Sequence, residues 1–162
     1  MLIANPANAH LKINDAGLSV IKDAEKLRLV AYDDGYGNWT IGWGHVRGVK
    51  KGDTCTQAEA QAWLEEDVAG AEAVVKRYVK VALNENEFSA LVSFVFNVGS
   101  VKFFGSTLLR LLNAGRRSDA ADELPKWIYA TKGNRKIEAG GLIVRRGAER
   151  ALMLKPVMEP SE

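Results

Sequence analysis

Between Leu29 and Gly48 the sequence leaves helical spacing for two short β-prone runs, Leu29-Val30-Ala31-Tyr32 and Trp39-Thr40-Ile41-Gly42. The turn-rich segment Asp33-Asp34-Gly35-Tyr36-Gly37-Asn38 separates them. β-Branched and aromatic side chains suit a pleated surface, and Asp, Asn and Gly suit the bend that joins two strands. Gly44-His45-Val46-Arg47-Gly48 extends the pattern to an expected third short strand, so a small antiparallel sheet is confined to this stretch. Helical patterning stands on both sides of it. Leu18, Ile21 and Ala24 recur at helical spacing behind Asn14, a favoured N-cap, which predicts a helix from about Asp15 to Lys26. Beyond Gly52 the chain reads as helical almost to its end. Thr56-Gln57-Ala58-Glu59 is a capping box opening a long helix to about Lys80, and Asn84-Glu85-Asn86-Glu87 opens the next. Its apolar run from Phe88 to Phe96, stopped by Gly99, predicts the centre of a helical core. Ser106 is expected to cap a helix ending near Gly115, Ser118 another ending before Pro125, and a last helix is expected from Leu142 to Leu154.

Sheet and helices kept apart in this way predict an α+β fold. The expectation is one mostly helical domain over residues 1–162. A sheet lobe (about 29–52) and a helical lobe (about 81–155 plus the N-terminal helix) are joined by the long helix, with a cleft between them. No linker, low-complexity tract or internal repeat divides the chain. A net charge of +2 without a concentrated basic patch gives no support to nucleic-acid binding. Cys55 is the lone cysteine, so no internal disulfide forms, which suits a reducing compartment. Met1-Leu2-Ile3-Ala4-Asn5-Pro6 lacks the basic and apolar regions of a signal peptide, and no segment has the length to cross a bilayer.

Two carboxylates and a hydroxyl stand where chemistry can gather: Glu25 near the end of the first helix, Asp34 in the turn and Thr40 on the strand after it. A chain that leaves a helix and returns as a hairpin can bring all three to one cleft wall. Glycosidic cleavage needs an acid to protonate the leaving oxygen and a carboxylate to activate water, so it needs two carboxyls in different environments. Spacing alone does not separate such a pair from solvated surface carboxylates.

The run from Glu25 to His45, Glu-Lys-Leu-Arg-Leu-Val-Ala-Tyr-Asp-Asp-Gly-Tyr-Gly-Asn-Trp-Thr-Ile-Gly-Trp-Gly-His, resembles the signature of the phage-type lysozymes, glycoside hydrolase family 24. That family places an Asp nine positions after its Glu and a Thr six beyond, the spacing of Glu25, Asp34 and Thr40. Phe96-Asn97-Val98-Gly99 is similar to the family's turn at the cleft, and Gly141-Leu142-Ile143-Val144-Arg145-Arg146-Gly147-Ala148-Glu149-Arg150 to its Arg-Arg ending. The likeness runs from about Asp15 to Leu154.

The resemblance implies an endolysin that cleaves the β-1,4 bond between N-acetylmuramic acid and N-acetylglucosamine with inversion. Glu25 would be the general acid, with Asp34 and Thr40 holding the attacking water. Val46, Phe96, Asn97 and Thr107 match positions lining the sugar cleft. Arg146 is the better match to the arginine facing the catalytic Glu, with Arg145 the fallback. His45 is expected to support the site structurally. No cofactor or metal is implied. The implied partners are glycan strands and, for access, a holin; a monomer needing no protein partner is expected. The enzyme would wait in the host cytoplasm until released through the inner membrane. Lys26 departs from the pattern, since family members usually carry Gly there, which tolerates positive φ.

Three other readings compete. A zinc amidase needs three ligands, for which His10, His45 and Cys55 are the N and S candidates. A lytic transglycosylase uses one Glu and no water, against which Asp34 and Thr40 speak. A wall-binding module without catalysis would not need the Glu25-Asp34-Thr40 set. The basic, amphipathic segment from Arg145 to Lys155 could attach to a membrane surface, but a helix closing the helical lobe accounts for it more simply.

Overall fold

A computed structural model describes residues 3–158. Helix α1 (Asp15–Glu25) starts on Asn14, whose side chain accepts from the Gly17 amide at 3.0 Å. It ends where Lys26 turns to φ 56°. Strands β1 (Arg28–Asp33) and β2 (Trp39–Gly42) pair antiparallel, with Tyr32 opposite Thr40 and Asp33 opposite Trp39. The expected third strand is absent. Gly42, Gly44 and Gly48 all take positive φ and turn the chain repeatedly, so only the single bridge Ile41–His45 forms there. A second bridge joins Val30 to Thr54.

Helices α2 (Gln57–Tyr78) and α3 (Glu85–Val98) both carry the expected reciprocal capping boxes, on Thr56 and Asn84. Three shorter helices follow: α4 (Ser100–Phe104), α5 (Thr107–Asn113) and α6 (Arg117–Ala121). Ser106 caps α5 as its sequence position suggests. Ser118 does not cap α6 but lies within it. Arg117, paired with the buried Glu87 at 2.8 Å and donating to the Ala82 carbonyl, ties the start of that helix two residues earlier than a Ser118 cap would place it.

The larger correction lies beyond a 3-10 turn at Leu124–Lys126. In place of continuous helix, β3 (Tyr129–Lys132) and β4 (Arg135–Glu138) form an antiparallel hairpin around Gly133-Asn134. Gly133 supplies the positive φ that a two-residue hairpin turn requires. Helix α7 (Gly140–Leu154) is the last element among the described residues.

Helix α3 is buried on every side from Asn86 to Val95 and packs against α1, α2 and α7. Phe88, Leu91, Phe94, Phe103, Leu108 and Leu112 form the centre of the core, each contributing roughly 1.5–3 kcal/mol by leaving water. Because α1 packs on α3 and α7, the first helix belongs to the helical lobe although the β1–β2 hairpin follows it in sequence. The segment before α1 is tied down as well. The fully buried Asn8 donates to the Val81 carbonyl and accepts from the Leu83 amide, at 2.9 and 2.8 Å.

Candidate active site

Glu25 is the last residue of α1, and its carboxylate is held from α7: Arg145 Nη1 donates to Glu25 Oε1 at 2.6 Å. The pair is largely closed to solvent, with side-chain exposures of 3% and 19%. The partner is therefore Arg145 and not Arg146. Successive helical residues point about 100° apart, and α7 turns its Arg145 face toward α1. Arg146 lies on the adjacent face, donating to Asn97 Oδ1, to the Trp127 carbonyl at 3.0 Å and to Glu149 at 2.5 Å. Burial draws the Arg146 guanidinium below its ordinary pKa, and the Glu149 carboxylate opposes that shift.

The backbone beneath Glu25 is Gly44, at φ 75°. A Cβ there would meet Glu25 Oε2 and stand 2.6 Å from its Cδ, so a side chain at this position would push the carboxyl aside.

Asp34 occupies the β1–β2 turn and orients it. Its Oδ1 accepts from the Tyr36 and Asn38 amides at 2.8 and 3.1 Å, and its Oδ2 from Asn38 Nδ2 at 3.0 Å. A carboxylate has about four lone-pair directions, so one remains for a further donor. Thr40 is buried on β2, and its hydroxyl lies 3.5 Å from the Asn38 carbonyl, at the limit of a hydrogen bond. That hydroxyl is thus only weakly committed within the chain.

Tyr32, which the sequence reading did not single out, faces Thr40 across the ladder. Its phenol is pushed above its ordinary pKa by partial burial, then by the charge of Glu25; Arg28 opposes this and Asp34 adds to it. Both carboxylates therefore act on one ring.

Two cavities flank residues 96–99. One, of about 290 Å³, lies between the sheet lobe and α2 and is lined by Gly44, His45, Val46, Asp67 and Phe96 among others. The second, of about 470 Å³, runs from Asp34 and Asn38 past Asn97 and Arg146 to Trp127 and Tyr129 of the hairpin region. Val46 and Phe96 thus line one cavity and Asn97 the other, whereas Thr107, exposed at the start of α5, lines neither. His45 is structural in its contacts: Nδ1 meets Asp67 Oδ2 at 2.8 Å, and the ring stacks on Trp63 at 4.8 Å. Among the described residues, no three His, Cys, Asp or Glu side chains gather as a metal site would require, and His10, His45 and Cys55 are not brought together.

The missed wall of the second cavity had a signal. Trp127-Ile128-Tyr129-Ala130-Thr131 is β-prone and is followed by Gly133-Asn134. Tyr32 had none beyond its place between Glu25 and Asp34.

Residues 22–149 match the family model described as phage lysozyme. The chain is 43% identical, over 88% of its length and 97% of the relative's, to an endolysin of Acyrthosiphon pisum secondary endosymbiont phage 1. It is 38% identical to the endolysin of Salmonella phage P22, covering 89% of this chain and 99% of that one. Among solved structures it is similar to an endolysin from Escherichia coli O157:H7 phage FAHEc1, with a TM-score of 0.82 and 35% identity over 93% of this chain and 98% of the other.

Proposed function

The chain belongs to the phage lysozyme family, and we propose that Glu25, Asp34 and Thr40 carry its chemistry in an inverting muramidase reaction. As an endolysin and glycoside hydrolase, it cuts the glycan of bacterial peptidoglycan in host lysis. The bond cleaved is the β-1,4 linkage from N-acetylmuramic acid to N-acetylglucosamine. Glu25 gives its proton to the leaving oxygen. Water held by Asp34 and Thr40 attacks the anomeric carbon from the opposite face and yields its proton to Asp34.

The observation that carries this reading is the contrast between the two carboxyls. Glu25 sits in a nearly closed niche on Arg145, and Asp34 sits on a turn with one direction left open. Beside Asp34, a weakly committed hydroxyl suits holding water better than attacking sugar. Val46, Phe96 and Asn97 line the cavities on either side and would hold sugar rings. The enzyme acts as a monomer. By the family's analogy it waits in the host cytoplasm until a holin opens the inner membrane; no helix among the described residues is long and apolar enough to cross a membrane.

The test uses purified sacculi. Glu25→Gln, folded by circular dichroism, should lose about 10²–10⁴-fold in turnover, Asp34→Asn nearly as much, and Thr40→Val less. Near-normal turnover in Glu25→Gln would overturn the mechanism. Parent products should be reducing sugars released first as the α-anomer. A first-formed β-anomer overturns inversion, and anhydro products overturn hydrolysis.

A further inference from the structure

A carboxylate that the proposed chemistry does not use is buried in α7. Glu149 is 0% exposed, and all its partners are identified: Oε1 accepts from Arg146 Nη1 at 2.5 Å, and Oε2 from Ser93 Oγ at 2.6 Å and Arg145 Nε at 3.4 Å. The two arginines it holds reach different residues. Arg145 extends to Glu25, and Arg146 to Asn97 and the Trp127 carbonyl. Ser93 adds a second tie from α3, its carbonyl accepting from Arg145 Nη2 at 3.1 Å.

The charges in this cluster decide what Glu149 does. Guanidinium groups stay charged in proteins. With Glu25 and Glu149 both ionised, the four side chains are neutral together; with Glu25 protonated, they carry one net positive charge. Without Glu149, the same two states would carry one and two positive charges in a region closed to water, where such charges act strongly. Two unopposed guanidiniums would then keep Glu25 ionised, and an ionised carboxylate has no proton to give.

The other groups around Glu25 do not supply this balance. From β1 come Tyr32 and Arg28, the latter stacked on the Tyr32 ring at 5.0 Å, and Asp34 follows on the turn. Within α1, Lys22 is spent on the Trp43 ring and Asp23 is exposed, as is Lys26 just beyond. Helix α3 presents uncharged groups to the arginines: Ser93 and Asn97 through hydrogen bonds, and the rings of Phe96 and Phe94 against Arg145 and Arg146. Beyond α6, Asp122 is engaged by Arg150 at 2.7 Å.

We propose that Glu149 is a positioning residue of the glycosidic reaction, which neutralises the Arg145–Arg146 pair so that Glu25 can hold the proton the leaving oxygen needs. This rests on Glu25 as the general acid. It assigns the Glu of the Arg-Arg-Gly-Ala-Glu segment a task in setting the working pH of the site, in addition to packing.

The experiment compares pH profiles of kcat/KM on soluble glycan fragments for the parent, Glu149→Gln, Arg146→Met and the double variant, each checked for folding by near-ultraviolet circular dichroism. Charge balance predicts opposite signs. The alkaline limb should move to lower pH by about one unit in Glu149→Gln and to higher pH by a similar amount in Arg146→Met. In the double variant it should return to within a few tenths of a unit of the parent. Glu149→Asp, which keeps the charge, should leave the limb near the parent's position. A purely structural role would lower activity at every pH and leave the limb in place, and that result overturns the proposal. If Glu149→Gln does not fold, Arg146→Met and the double variant carry the same test: an upward shift in the first that is reversed in the second supports it, and unmoved limbs in both overturn it. Glu25→Gln is measured alongside. If it stays active, the reading of Glu25 fails; if it is inactive while the limbs stay put, only the role of Glu149 fails.

Discussion

Lys26 leaves α1 at φ 56° and ψ 145°, the only positive φ outside glycine among the described residues. A Cβ in this region crowds its own backbone, at a cost on the order of 1–3 kcal/mol. The strain falls one residue after Glu25, where the chain must reverse from helix into β1. Lys26→Gly removes the clash but adds freedom to the unfolded chain. The net expectation is a gain of about 1 kcal/mol, or roughly 2–4 °C in Tm for a chain of this size. A scanning-calorimetry midpoint at or below the parent's would show that the surroundings already relieve the strain. Tyr32 makes a second prediction at this scale. Its folded pKa is raised, chiefly by burial and then by Glu25. Its contribution to stability is therefore complete below the ordinary phenol pKa of about 10 and declines as pH rises through the higher folded value. Urea midpoints should fall above that pH in the parent, and fall less in Tyr32→Phe. Equal alkaline losses in both would assign the effect to other tyrosines or lysines.

The sheet lobe reaches α2 through His45, which meets Asp67 at 2.8 Å and stacks on Trp63. Both partners are mostly buried, so losing the acceptor strands a ring nitrogen. Asp67→Ala, which removes both carboxylate oxygens, should cost about 1.5–3 kcal/mol, in the range of a hydrogen bond to a charged group. Chemical denaturation would show this, with an unchanged midpoint speaking against the link. The contact also explains what the sequence can and cannot disclose about elements. Helix starts were legible because Asn14, Thr56, Asn84 and Ser106 act through their own next few residues. Ser118 misled because the start of α6 is set by Arg117 on Glu87, a partner thirty positions away. The β3–β4 hairpin carries local β and turn signals, yet it sits between helical stretches and its strands are almost wholly exposed, so no burial alternation marks it. The Glu25-Asp34-Thr40 set was read from the resemblance of the Glu25–His45 run to the family signature, since spacing alone does not separate these side chains from surface ones. The choice between Arg145 and Arg146 was not, because it depends on which face α7 turns to α1.

Across the whole molecule, the helical lobe is built from both ends of the described chain, with α1 packed on α7 and the β1–β2 hairpin emerging between them in sequence. If a holin supplies access, as the family's analogy suggests, expression alone should leave most host cells intact. Adding a pore-forming partner should then bring abrupt loss of culture turbidity; prompt lysis without one would mean that the enzyme reaches the wall unaided. The ion pair from Glu25 to Arg145 spans 120 positions of sequence. Translation runs from the amino end, so a ribosome makes Glu25 well before Arg145, and a chain that stops between them has the one without the other. A nascent chain or a prematurely terminated fragment ending before α7 holds Glu25 without its anchor and lacks the helix that packs on α1 and α3. The pairing at Glu25 is therefore completed only after α7 has been made, whatever the folding state of the residues before it.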